Sequence, residues 1–209
     1  MTRMYRISMA SILLFSAQQA NAELTLGLDF LQDSGDRELS ASYSSSGNEF
    51  DTSGFIADST GYRLRLGFGS VKDNRTELYY SQYDVDDNGQ FGDKQEWELG
   101  VNYIATFFKN SVNPSLKPVT PFLKAGLGFG QADTNMKFIT SSGETTDNIY
   151  NVHLNLGGGV SYSFTDNIAV TGGIEYVYRD WEDIESGGIV TIDTTDSLFR
   201  FGVGIDVSF

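Results

Sequence analysis

An all-β chain, closed into an eight-stranded antiparallel up-and-down barrel that crosses a membrane with its strands, is the fold class this sequence predicts. Period-2 alternation of apolar and polar residues recurs along most of the 209 residues. The segments joining the alternating stretches are by turns short and long, as in transmembrane barrels. Finally, 23 glycines, 15 Phe and 11 Tyr stand against only 3 prolines, and no window past the first residues approaches a spanning helix.

The chain opens MTRMYRISMASILLFSAQQANA. Arg3 and Arg6 precede an apolar stretch from Ile7 to Phe15, and small residues follow up to Ala22. That order predicts a cleaved signal peptide over residues 1–22 and a barrel domain over 23–209. The apolar core is too short to span a bilayer, which takes about 20 residues. Both arginines leave with the signal, moving the formal charge from -14 to -16. Nucleic acid is excluded as a partner, because binding it depends on Lys and Arg neutralising phosphates. With no cysteine, neither disulfides nor thiolate metal sites can form.

The strands follow in order. ELTLGLDF places Leu24, Leu26, Leu28 and Phe30 on one face and Thr25, Gly27 and Asp29 on the other. YRLRLGF sets Tyr62, Leu64, Leu66 and Phe68 against Arg63, Arg65 and Gly67. TELYYSQY, from Thr76 to Tyr83, is a strand whose facing stays open, since the adjacent Tyr79 and Tyr80 break the alternation. EWELGVNYIATF gives Trp97, Leu99, Val101, Tyr103 and Phe107 against Glu98, Gly100 and Asn102. PFLKAGLGF gives Leu123, Leu127 and Phe129 against Lys124, Gly126 and Gly128. NVHLNLGGGVSYSF sets Val152, Leu154, Leu156, Val160, Tyr162 and Phe164 against His153, Asn155 and Ser161. NIAVTGGIEYVYR sets Ile168, Ile174, Tyr176 and Tyr178 against Thr171, Glu175 and Arg179. SLFRFGVGIDVSF ends the chain with Phe199, Phe201, Val203, Ile205, Val207 and Phe209 against Arg200, Gly202, Gly204 and Asp206.

Short turns are expected at Lys72-Asp73-Asn74 and Thr165-Asp166-Asn167, with a moderate link through Asn113-Pro114. Long polar loops are expected from Gln32 to Gly61, Asp84 to Gln95, Gln131 to Asp147 and Asp180 to Asp196. RELSASYSSS, within the first of these, either lengthens the first strand or forms its own hairpin. The loops are acidic, with Asp33, Asp36, Glu38, Asp180, Glu182 and Asp183 among their charges.

Volume decides which face points outward. Eight strands enclose a lumen just wide enough to be filled by side chains. The Leu, Ile, Val, Phe and Tyr of these strands are too many and too large to fit inside. The opposite face, of glycines, charges and small polar groups, suits a narrow interior. Turned outward, the apolar set forms a lipid-facing band with one aromatic girdle at Phe30, Tyr62, Trp97 and Phe129, and the other at Phe68, Phe107, Tyr162, Phe164 and Phe209. A soluble barrel with the apolar face inward is the alternative.

The architecture and the C-terminal GVGIDVSF resemble the small outer-membrane β-barrels of Gram-negative bacteria, the family of the OmpA transmembrane domain and OmpX. In that family a terminal aromatic, an apolar residue two before it and a glycine three further back are read by the barrel assembly machinery; here these are Phe209, Val207 and Gly204. The resemblance implies an outer-membrane location among lipid and lipopolysaccharide, a monomer, and a structural or surface-interaction role. A narrow porin-like channel is the alternative, and a lipid A modifying enzyme a more distant one. Deacylases of that last kind pair a histidine with a serine two residues on, whereas His153, the sole histidine, is followed two residues on by Asn155. No catalytic or cofactor-binding residue is expected.

Two constellations carry candidate chemistry. The lumen face collects Arg63, Arg65, Lys124, Arg179 and Arg200 with Asp29, Glu98, Glu175 and Asp206. Enclosed charges must be paired, so these predict an ion network that plugs the barrel. The second is DVDDNGQFGDKQE, where Asp84, Asp86 and Asn88 occupy the first three ligand positions of a calcium loop and Gly89 the turn. The twelfth position holds Gln95 instead of a bidentate Glu, and strands flank the loop. A weak calcium site is one reading; a hairpin loop turning at Asn88-Gly89 is the other.

Overall fold

The structure is a computed structural model, and it describes residues 23–43, 49–56, 58–69, 73–86, 94–107, 118–139, 145–186 and 190–209. The expected signal peptide, the link through Pro114 and part of the Lys72 turn lie outside the described residues. Ten strand segments form a single sheet: β1 (Leu24–Tyr43), β2 (Glu49–Ile56), β3 (Asp58–Phe68), β4 (Arg75–Asp86), β5 (Lys94–Thr106), β6 (Val119–Ile139), β7 (Thr145–Ser163), β8 (Ile168–Trp181), β9 (Ile184–Ser186) and β10 (Val190–Ser208). All described elements are strands.

Eight of them make the ring. Each pairs antiparallel with its neighbour in chain order, β2 and β9 aside, and β1 closes on β10 through an unbroken ladder from Thr25↔Ser208 to Tyr43↔Val190. The start of β1 and the end of β10 therefore meet at one end of the barrel, where Phe209 N donates to Leu24 O at 2.8 Å. We call this the terminus end and the opposite one the loop end. Stepping through paired residues from Leu28 passes Leu64, Tyr80, Leu99, Phe129, Val152, Asp180 and Thr195, and returns to β1 at Glu38, ten residues further on. That offset tilts the strands by about 40° to the axis.

The two short segments extend the ring at the loop end. β2 pairs with Asp36–Ser42 of β1, and β9 with Val190–Ile192 of β10. RELSASY is thus both an extension of β1 and one arm of a hairpin. The segment from Gln32 to Gly61 is largely strand rather than the long loop expected, because the ladder partners that β2 and β10 supply continue past the apolar band.

Exposure alternates along every ring strand. Leu156 is 66% and Leu28 53% exposed, while their inward neighbours Asn155 and Asp29 are 5% and 7%. An aliphatic face left this open is stable only against lipid, not water. Aromatic contacts mark both rims, with Trp97 edge-on to Phe129 at 5.6 Å toward the loop end and Tyr162 edge-on to Phe164 at 5.0 Å at the terminus end. Between β7 and β8 the tight turn is held by Thr165 Oγ1, which accepts from the backbone N–H of Asn167 and Ile168. Gly69 takes φ +128, a conformation that side chains resist, as the chain leaves β3.

Candidate functional site in the barrel lumen

The pleat sends every second residue inward, so the lumen is built from the polar half of each strand. Asp29, Arg63, Arg65, Glu98, Lys124, Glu175, Arg179, Arg200 and Asp206 are all buried there. The structure joins them in two groups. Toward the loop end, Arg200 donates to both oxygens of Asp33 (2.7 and 2.8 Å) and of Glu98 (3.0 and 3.2 Å). Arg179 reaches Glu98 at 2.8 Å, Glu96 at 3.3 Å and Asp33 at 3.3 Å. Toward the terminus end, Arg65 meets Asp29 at 2.7 Å, Glu77 at 2.9 Å and Asp206 at 2.7 Å, and Arg75 shares Glu77 at 2.8 Å. Between the groups, Glu175 accepts from Arg63 at 3.0 Å and Lys124 at 2.5 Å.

Several members were not visible as lumen residues from the sequence. Asp33, counted among the loop charges, is 1% exposed and belongs to the lumen. Asp196 and Glu96 do too; Asp196 accepts both an Arg37 guanidinium pair (2.6 and 2.7 Å) and the Trp181 indole N–H at 2.9 Å. Extending the parity of Asp29, Glu98 and Arg200 by two or four residues toward the loop end would have found all three. The facing of the third expected strand, now β4, is also settled: Tyr79 and Tyr83 are each 1% exposed and inward, and Tyr80 faces out. Arg75 and Glu77 follow on the same inward parity.

The inward tyrosines seat the guanidiniums. Arg63 lies 4.4 Å from the Tyr79 ring centre and Arg200 4.6 Å from that of Tyr83, close enough for cation–π attraction. The Tyr83 hydroxyl donates to Glu98 at 3.1 Å. The Tyr79 hydroxyl is 2.7 Å from His153 Nε2, and His153 Nδ1 is 3.1 Å from Asn151 Oδ1. His153 is therefore held between Tyr79 and Asn151, facing away from lipid.

Lumen glycines leave room for these groups. A Cβ on Gly128 would stand 2.6 Å from His153 Nε2, and one on Gly204 would run into Asp29 Oδ1. Gly204 thus has a packing role beside Arg65 and Asp29, whatever reads the C-terminal pattern. Val207 and Phe209 face outward, Phe209 at 68% exposure.

Charge is nearly balanced inside. Among the described residues, Arg37, Arg63, Arg65, Arg75, Lys124, Arg179 and Arg200 face Asp29, Asp33, Glu77, Glu96, Glu98, Glu175, Asp196 and Asp206. Seven cations against eight carboxylates leave little net field to select a permeant ion. The calcium-loop candidates lie elsewhere. Asp84 is exposed near the loop end of β4, Asp86 ends that strand, and Asn88 lies outside the described residues. Among the described residues no group of three or more His, Asp or Glu could hold a metal ion.

No family model and no curated protein matches the sequence. Solved structures do match. Neisserial surface protein A is 20% identical over 89% of this chain and 97% of its own, at a TM-score of 0.53. The outer membrane protein OprG from Pseudomonas aeruginosa is 10% identical over 90% and 96%, at 0.57. The outer membrane enzyme PagL aligns over 82% and 97% at 12% identity, with a TM-score of 0.37 too low to bear on this chain. At such identities the likeness concerns the fold. With its closed ring, outward aliphatic band and polar lumen, the chain has the eight-stranded fold of the small outer-membrane β-barrels, of the OmpA and OmpX type.

Proposed function

We propose that this is an integral protein of the bacterial outer membrane, exported by the signal peptide over residues 1–22, with a structural or surface-interaction role in envelope integrity or adhesion. One observation carries the reading: the lumen is occupied across its width by paired charges and tyrosines, so the barrel is a plug whose accessible parts are its wall and its loop end. Arg200 on β10 pairs with Asp33 on the neighbouring β1 and crosses the lumen to Glu98 on the opposite strand β5. The acidic loop end, with Asp36, Asp84, Asp180 and Glu182 exposed, suits divalent-bridged contact with lipopolysaccharide phosphates and a weak calcium interaction at the Asp84 loop. The protein inserts as a monomer through the assembly machinery, with lipid as its principal partner.

The setting of His153 supports a non-enzymatic role. A histidine base needs a nucleophile within hydrogen-bond reach and access to substrate. This one is 1% exposed and engaged by Tyr79 and Asn151. The test combines three measurements on outer-membrane fractions. Folded protein should migrate differently before and after boiling in detergent, planar bilayers should show no large stable conductance, and lipopolysaccharide should release no fatty acid. A steady large conductance moves the function to transport, and fatty acid release to catalysis. Deletion of loop residues that spares folding but abolishes cell binding supports adhesion.

A further inference from the structure

Among the described residues the lumen's carboxylates outnumber its cations by one, and the excess can be located. Toward the terminus end Arg63, Arg65, Arg75 and Lys124 face Asp29, Glu77, Glu175 and Asp206, four against four. Toward the loop end Arg37, Arg179 and Arg200 face Asp33, Glu96, Glu98 and Asp196, three against four. Three of these four carboxylates are well met. Asp33 accepts from Arg200 at 2.7 and 2.8 Å and from Arg179 at 3.3 Å. Glu98 is reached by Arg200 at 3.0 Å, by Arg179 at 2.8 Å and by the Tyr83 hydroxyl at 3.1 Å. Asp196 holds Arg37 with both oxygens and also takes the Trp181 indole N–H. Glu96 is left with one contact, Oε2 to Arg179 Nη1 at 3.3 Å, and its Oε1 is buried without a partner.

The surroundings of Glu96 make that surplus charge costly. Its ladder partner on β6, Ala132, belongs to an apolar cluster with Ile149 and Trp181, against which Ile184 packs. Its partner on β4 is Tyr83, whose hydroxyl is committed to Glu98. The charged and titratable groups around it are Asp33 and Arg37 of β1, Glu98 of its own strand, Arg179 of β8, Asp196 and Arg200 of β10, and beyond Glu98 the His153 of β7, 4.0 Å from that carboxylate. Glu96 stands beyond Trp97 of the loop-side girdle, level with the exposed Asp84 and Asp133, and so outside the band in contact with lipid. A buried carboxylate without a cation of its own is relieved by a proton. Burial pushes the Glu96 carboxyl up to about 6, with Arg179 opposing the rise and Glu98 adding to it.

We propose that Glu96 is a proton-binding site, which takes a proton from solvent at Oε1 in mildly acidic medium, brings the loop-end cluster to neutrality and so tightens the barrel. The neutral carboxyl gives up its hold on Arg179 Nη1. That nitrogen is 3.7 Å from Asp196 Oδ2 and can then close on it, so that Arg179 joins Arg37 and Trp181 on one carboxylate. The inference goes beyond the cellular role and concerns the folded barrel itself. An acid that holds its proton more tightly in the folded chain than at the ordinary value of 4.5 stabilises the fold in acid: the contribution is fully present below about 4.5 and is lost as pH rises through about 6. A carboxylate held only as an ion pair gives the opposite trend, because protonating it breaks the pair.

The test compares urea titrations of the refolded barrel at pH 8 and pH 5. On acidification the folded-to-unfolded ratio should rise roughly eightfold more for the unchanged chain than for Glu96→Gln. Taking the difference from E96Q removes the other titrating groups, which both chains share. Lys94→Gln, two residues earlier on β5, should keep the full dependence. Equal responses of the unchanged chain and E96Q overturn the proposal. So does a greater loss by the unchanged chain in acid, which would mean an ionised, paired Glu96. A dependence that appears only in K94Q would give Glu96 a lysine partner and overturn it too. Each variant is checked by its boiling-dependent gel shift. Should E96Q fail to fold, the carboxyl carbon-13 resonance of Glu96 in the unmodified barrel decides: a titration midpoint above pH 5 supports the proton site, and a lower midpoint, or no titration down to that pH, sinks it.

Discussion

Two arginine clusters occupy the same lumen and use the same chemistry, yet they sit in different surroundings. Arg200 and Arg179 are roofed by aromatic rings and apolar side chains, and every nitrogen of Arg200 meets Asp33 or Glu98. Arg65 and Arg75 border a cavity of about 30 Å³ whose wall also holds Ile104 and Phe122, and Arg65 Nε, Glu77 Oε2 and the Asp206 oxygens beside them lack hydrogen bonds within the described residues. In the first cluster every Arg200 nitrogen is met by protein and Glu96 Oε1 beside Arg179 is the orphaned carboxylate oxygen; the second cluster borders a cavity with room for about two waters. A buried ion pair costs most when it is broken where water cannot enter, so the same substitution should cost more in the first cluster.

Arg200→Leu should therefore have the largest effect. It leaves the buried Asp33 and Glu98 with Arg179 as their one remaining guanidinium partner, for a loss of about 3–5 kcal/mol, read as a lower urea midpoint of the refolded barrel. Leu28→Arg, on the outer face within the apolar stretch Leu24–Phe30 of β1, places a charge in lipid and should cost about 2–4 kcal/mol. An unchanged midpoint there would mean that the apolar face does not meet the bilayer core. Arg65→Leu removes three ion pairs against the two lost in Arg200→Leu, but Asp29 beside it borders a cavity with room for water, and the change should cost about 1–3 kcal/mol. Equal losses at positions 65 and 200 would erase the distinction between the clusters. The smallest effect is expected of Tyr83→Phe, which deletes the hydroxyl bond to Glu98 and keeps the ring under Arg200, for about 1 kcal/mol. A loss as large as that of R200L would show that the hydroxyl, rather than the ring, organises the cluster.

Much of the architecture was legible because a strand's pleat has a period of two and the two faces meet opposite solvents. Where both periodicity and composition were clean, as in YRLRLGF, the expected facing and the observed burial agree residue by residue. Legibility failed where one cue was missing. Tyr79-Tyr80 carries no polarity difference, and only the neighbouring ladders turn Tyr79 toward His153 and Tyr80 toward lipid. Asp33 and Asp196 looked like loop charges because polar residues surround them on both faces beyond the apolar band. Their burial comes from Arg200 and Arg37, which only barrel closure brings near.

By itself, then, the sequence determined the number of ring strands, the outward face and the polarity of the lumen, since these follow from local alternation and from the volume eight strands enclose. Which acid meets which base was decided by the tertiary structure. Arg200 reaches Asp33 across 167 positions of sequence and Glu98 across 102. Those pairings depend on the ten-residue offset at which β1 closes on β10, a property of the ring as a whole that no single strand encodes.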